Sequence, residues 1–264
     1  MVTHLLAALL GLLLCAGAGG AAATRPLCLA CHQPHYTERG GCTACHRGNP
    51  AADRKNIAHL NLVGKRHVLH TLGDTPELRA GERLLDRYAC RRCHVTGGRG
   101  NRLSVNLDRS VTTKSPAIIA DAILHPAQGM PDFRMDPRQV DSLITALLAA
   151  SARSPGPAGD GRQVVHFNRE GSEGKDVFSM KCGGCHRALT QRFGSLGSGN
   201  AGPNLSGLLS PFYPATFRER GQWTEERLRA WLKNPRSVRP TALMQPITLT
   251  EKEFRELVGI LWVE

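Results

Sequence analysis

Cys28-Leu-Ala-Cys31-His32 is followed by Cys42-Thr-Ala-Cys45-His46, Cys90-Arg-Arg-Cys93-His94 and Cys182-Gly-Gly-Cys185-His186. Eight of the nine cysteines thus fall into four pairs with one spacing and one following residue. With cysteine and histidine this infrequent, roughly 0.01 such matches are expected by chance in the whole chain. The spacing suits one helical turn, which sets both sulfurs on one side and aims the adjacent imidazole from the same side.

C-x-x-C-H is the attachment sequence of c-type haem, in which the two thiols add to the vinyl groups and the histidine ligates the iron. Zinc could use two C-x-x-C pairs as a tetrahedral site, but it needs no histidine after each pair. It also leaves the isolated pairs at Cys90 and Cys182 unexplained. Disulfides, the bland reading in an exported chain, ignore the histidines as well. The sequence therefore predicts four covalently bound haem c groups. Their attachment residues are Cys28, Cys31, Cys42, Cys45, Cys90, Cys93, Cys182 and Cys185, and their proximal ligands His32, His46, His94 and His186.

The rest of the composition agrees. Aromatic residues make up only 5% of the 264, so large apolar cofactors would supply core that side chains do not. Residues 1–23 read as an export signal, with the apolar run Leu5–Leu14 and a small-residue end at Ala21-Ala22-Ala23, although no Lys or Arg precedes the run. An uncleaved anchor is the alternative. Cleavage would remove Cys15, the ninth cysteine. Export places the protein in the periplasm or on the outer face of the cytoplasmic membrane, where covalent haem attachment occurs. The formal charge of +12 falls to about +8 with four ferric haems and about +4 with four ferrous ones, given their propionates. Such a surface suits acidic redox partners, and no nucleic-acid motif is present.

Organisation follows from the punctuation. Ser154-Pro-Gly-Pro-Ala-Gly-Asp-Gly161 reads as a linker, and Asp74-Thr-Pro76 as the start of a helix after a boundary. The expected division is 24–75 with two motifs, 76–150 with one, a linker at 151–163, and 164–264 with one. The linker would leave the last domain free to swing between partners. The expected fold is mainly α: two small helical domains and a loop-rich dihaem segment, all organised around haem.

In the last segment, apolar residues around Phe178 precede Cys182, and Gly202-Pro203-Asn204 follows the haem histidine. A short helix is expected over Trp223–Leu232. Thr250-Glu-Lys-Glu253 reads as a helix-start box before Phe254, Leu257, Val258, Leu261 and Trp262. This order resembles class I cytochrome c. The resemblance implies crossed first and last helices, orientation of His186 by the Pro203 carbonyl, and Met244 as the second axial ligand. Met180, two residues before Cys182, is expected as core filler.

The middle segment repeats the plan in shorter form: a helix over Leu78–Tyr88, the motif, a loop, Met130, and a closing helix over Val140–Ala149. It also resembles class I cytochrome c, which implies Met130 as the sixth ligand, with Met135 and His125 in reserve. It departs from that pattern by lacking Gly-Pro in the proximal loop, where Leu103-Ser-Val-Asn106 stands. Histidine and methionine are also 36 residues apart here, against 58 in the last segment.

The first segment has no methionine, so its sixth ligands must be histidines or be absent. His35 lies on the same side of the turn as His32 and cannot cap the same iron, but it can reach the haem of His46. His59 is then the candidate for the haem of His32, with His67 and His70 in reserve. The C-x-x-C-H-x-x-H order resembles compact multihaem cytochromes. Taken whole, the chain resembles tandem class I cytochrome domains fused behind a dihaem module. The resemblance implies electron transfer with other redox proteins, such as a membrane quinol-oxidising complex or other multihaem cytochromes. A haem enzyme (peroxidase or small-oxide reductase) or a sensor with one open iron is the alternative, and the shortened middle domain is where it would arise.

Overall fold

The computed structural model describes residues 26–127, 129–154 and 175–263. The expected export signal, and the linker from residue 155 on, lie outside the described residues. The fold is mainly helical. Among the described residues, no helix is long and apolar enough to cross a membrane.

The first segment is built of single turns. Leu27–Ala30 and Thr37–Arg39 are 3₁₀ turns, and α1 (Cys42–His46) and α2 (Lys55–Ala58) are one-turn helices. A longer 3₁₀ stretch, Lys65–Thr71, packs on the middle domain. Helices of four or five residues do not persist on propensity alone, so something beyond local sequence must hold them.

The middle domain has such a framework in its own side chains. Helix α3 (Pro76–Arg87) starts where the sequence places it: Thr75 accepts the Leu78 amide, and Pro76 fills the first position, where no N–H is needed. Helix α6 (Pro137–Arg153) opens on a capping box in which Asp136 and Gln139 satisfy each other's backbone. The two helices cross at Gly81. A Cβ there would stand 2.0 Å from the Ser142 carbonyl oxygen and 2.8 Å from the Ala146 Cβ. Glycine costs about 1 kcal/mol in a helix, and here it permits backbone contact. Leu85, Val111, Val140, Ile144, Leu147 and Leu148 fill the core, each 2% exposed or less.

Three expectations change in this domain. The stretch between His94 and Met130, read as a loop, contains α4 (Leu107–Thr113) and α5 (Pro116–Leu124). Asn106 and Ser115 cap them, and both helices pack on α6. Helix α6 runs to Arg153, beyond the boundary set at residue 150, because its apolar stripe extends through Ala150. The division at residue 75 does not coincide with a break in packing. Val63 is fully buried in the middle core, Val68 packs against it, and Arg47 and Asn61 donate to the Val111 and Thr113 carbonyls at the end of α4.

In the last domain, α7 (Val177–Lys181) packs against α10 (Glu251–Leu261). Helix α10 begins with the Thr250–Glu253 box and ends one residue before Trp262, which is 56% exposed rather than on the buried face. Between them lie the hairpin β1 (Ala188–Thr190) and β2 (Gly194–Leu196), then α8 (Glu225–Lys233) and α9 (Pro235–Val238). Phe178, Leu257, Leu228 and Tyr213 share this core. Met180 is 60% exposed. It does not fill the core, because Val177 and Phe178 occupy the inward face of so short a helix.

Candidate functional site

Each C-x-x-C-H sequence forms one helical turn. The amides of His32, His94 and His186 donate to the carbonyls of Cys28, Cys90 and Cys182 at 3.0, 3.0 and 2.9 Å, and Cys42–His46 is itself α1. The middle motif is entered through Ala89, whose φ of +49° turns the chain sharply off the end of α3. None of the eight motif cysteines is in a disulfide, and burial pushes the Cys90 and Cys182 thiols up to about 11. Among the described residues, no group of three or more His, Cys, Asp or Glu is gathered to hold a metal ion.

The imidazoles are oriented by the backbone. His186 Nδ1 lies 2.8 Å from the Pro203 carbonyl, His94 Nδ1 2.8 Å from that of Val105, and His46 Nδ1 3.0 Å from that of Val63. A carbonyl only accepts, so each Nδ1 carries the proton and each Nε2 keeps its lone pair for a metal. In the middle domain Val105 occupies the role that the resemblance gave to a proline. The acceptor is a backbone carbonyl, so this orientation of the ring survives without Gly-Pro in the proximal loop. Burial also lowers the His94 pKa, favouring the neutral, ligating form.

The glycines fit the same plan. A Cβ on Gly202 would strike the His186 ring at 2.2 Å, so the loop carrying Pro203 passes flat over the imidazole. Gly100 closes against the His94 carbonyl and Gly197 against that of His186, each with positive φ. Behind His94, Asp108 is 2% exposed and accepts the amides of Gly97 and Gly98 at 2.8 and 3.0 Å. That buried carboxylate ties the loop after the motif to α4. Nothing in its sequence context marked it.

In the first segment the structure brings histidines together in two pairs. The rings of His32 and His59 have centroids 6.0 Å apart, and those of His35 and His46 5.6 Å apart. An iron about 2 Å from a nitrogen of each ring separates the centroids by about 6 Å. The spacing therefore fits axial pairs on opposite faces of a haem. Exposed apolar side chains from this segment, Leu27, Tyr36, Ile57, Leu60 and Leu62, fit a large apolar cofactor. The reserves are used otherwise: His67 lies 3.5 Å from Asp141 on α6, and His70 Nδ1 donates to the His67 carbonyl.

Met244 lies against the last core, and its sulfur accepts the indole N–H of Trp231 at 3.0 Å. Met130 packs half-buried at the edge of the middle core near Phe133. Met135 is 7% exposed within that core. His125 ends α5 in solvent, paired with Asp121 at 2.8 Å. Trp231 escaped the sequence reading because α8 reads as a plain amphipathic helix.

Residues 76–145, from the first turn of α3 into α6, match the family model described as cytochrome C oxidase, cbb3-type, subunit III. The matched stretch contains the Cys90–His94 motif and Met130. This similarity supports a c-type cytochrome with covalently bound haem c and haem-based electron transfer. No solved structure matches the chain.

Proposed function

We propose that the chain is an exported tetrahaem c-type cytochrome that carries electrons between redox partners in a respiratory chain, rather than a catalyst. The observation that carries this reading is the pairing of His32 with His59 and of His35 with His46 at bis-imidazole spacing. A haem held between the histidines of each pair would have both axial positions filled and would offer a substrate no open iron position. Haem c, when bound, supplies a one-electron ferric–ferrous couple.

The chain's own groups do the rest. Carbonyls of Val63, Val105 and Pro203 hold the proximal rings in one tautomer and one orientation, so little reorganises when the charge at the site changes. His35 and His59 close the first two sites with imidazole. Met130 and Met244 close the last two with thioether, which raises reduction potential relative to imidazole. The first pair therefore sits lower in potential than the last two, and the chain forms a graded relay. The partners are other redox proteins, steered by the basic surface.

Potentiometric titration of the holoprotein tests this, with carbon monoxide added to the reduced form. The expected result is a low-potential pair, a high-potential pair and no carbon monoxide adduct. A stoichiometric adduct would overturn the carrier reading in favour of an enzyme or sensor. Four indistinguishable potentials would remove the relay.

A further inference from the structure

The middle and last domains meet through buried polar groups concentrated on one haem motif. Arg92, between Cys90 and Cys93, donates through Nη1 to the Asn204 carbonyl at 3.1 Å, and its guanidinium lies over the Tyr213 ring at 5.8 Å. Tyr213 donates its hydroxyl to the same Asn204 carbonyl at 3.1 Å. Asn101, 5% exposed, donates to the Arg92 carbonyl at 2.8 Å and to Ser210 Oγ at 2.7 Å, and Ser210 in turn donates to the Gly207 carbonyl. Gly207 is held against this network at φ +69°, where a Cβ would come within 2.5 Å of the Arg92 carbonyl oxygen. Ser206 in the same loop donates its hydroxyl to Asn204 Oδ1 at 2.6 Å and accepts the Leu189 amide. On the far side of the same interface, a Cβ on Gly129 would meet Ser195 Oγ at 3.0 Å.

Loose contacts between tethered domains are wet and interchangeable, whereas a buried network with its donors and acceptors matched specifies one arrangement. The loop it grips, Asn204–Tyr213, begins immediately after Pro203, whose carbonyl orients His186. From Pro203 the backbone runs directly to Asn204, whose carbonyl accepts from Arg92 within the motif. Asn101 gives a second link, donating to the Arg92 carbonyl and to Ser210.

We propose that Arg92, Asn101, Gly207 and Ser210 form a fixed electron-transfer junction that docks the middle domain's haem motif on the proximal loop of the last domain, so that the last domain does not swing. The proposal rests on the haem reading above. Haems held at Cys90–His94 and Cys182–His186 would supply one-electron exchange across this junction, one being oxidised from ferrous to ferric as the other is reduced, with no proton transfer required. Arg92 and Asn101 are positioning residues in this account.

Hydrogen–deuterium exchange on the tetrahaem holoprotein tests the docking without relying on turnover. In wild type, amides of residues 204–213 and 91–101 are protected. Arg92→Ala is expected to speed exchange at least tenfold in both stretches while α10 stays as slow as before. It is also expected to slow intramolecular electron equilibration between the third and fourth haems at least tenfold. Gly207→Ala, approached from the other side of the interface, is expected to do the same. Unchanged exchange at 204–213 in Arg92→Ala would overturn the junction even with four low-spin haems present. Opening of 204–213 with unchanged electron equilibration would overturn the route while leaving the docking. Absence of haem at Cys93 or Cys185 in wild type would instead remove the functional reading on which the route depends.

Discussion

Residues 26–72 and residues 76–153 both present C-x-x-C-H turns, yet they hold them in opposite ways. The middle domain sets its motif on crossed helices with a core of its own, in which Leu85, Ile144 and Leu147 are 2% exposed or less. The first segment has one buried apolar side chain among the described residues, Val63, and that residue belongs to the middle domain's core. Its α-helices are single turns, its histidine rings approach in two pairs, and Leu27, Tyr36, Ile57, Leu60 and Leu62 are exposed. In one region the protein builds its own core around the motif; in the other, on the function proposed above, bound haem would supply it. With only 5% aromatic residues in the chain, large prosthetic groups would supply the apolar volume that this segment's side chains do not.

Removing covalent attachment probes the contrast most strongly. Replacing Cys42 and Cys45 by Ser is expected to abolish amide protection across residues 41–62, measured by hydrogen exchange. The same change at Cys90 and Cys93 is expected to weaken α3 and α6 but leave them protected. Equal collapse of both regions would break the distinction. Next in size is the helix crossing. Gly81→Ala forces a methyl group into the Ser142 carbonyl and is expected to cost about 2–3 kcal/mol in denaturant unfolding of the middle domain. The His32–His59 and His35–His46 sites should keep their spectra under native conditions.

The last domain sharpens the comparison as a second case with its own core. Trp231→Phe removes the indole donor from the Met244 sulfur. A hydrogen bond of this kind is worth about 1 kcal/mol. Because only its difference between oxidation states moves a potential, its loss is expected to shift that of the last haem by no more than about 40 mV for one electron, leaving the first pair unmoved. Redox titration of the variant reads both.

These effects also show what could be read in the sequence. The four C-x-x-C-H turns were legible because the motif has a fixed spacing that suits one helical turn, and the starts of α3 and α10 because capping is local. The pairing of His32 with His59 and His35 with His46 was accessible by elimination, since no methionine lies nearby. Helices α4 and α5 were not legible: α5 is apolar nearly all round and short, and its stability comes from packing on α6. The Val105 carbonyl was invisible because a backbone acceptor has no residue type. Nothing local marks Arg92 and Asn101, because their partners lie more than a hundred residues away in the last domain.

The smallest expected effect concerns pH. The Thr250 amide and hydroxyl both donate to Glu253 and hold its carboxyl below the ordinary 4.5. A depressed carboxylate stabilises the fold above its ordinary pKa, and that contribution is lost as pH falls through the lowered native value. The start of α10 should therefore fray in acid, seen as faster amide exchange over residues 250–254. Glu253→Gln should remove that pH dependence. The single-turn helices of the first segment carry no such box and should show no matching transition.

Low-temperature EPR of the oxidised holoprotein, with haem quantified on the same sample, tests the central claim most directly. The account predicts four haems per chain, all low-spin, in two classes: two bis-histidine centres from the first segment and two histidine–methionine centres from the domains with their own cores. A stoichiometric high-spin signal, or fewer than four haems, would contradict it.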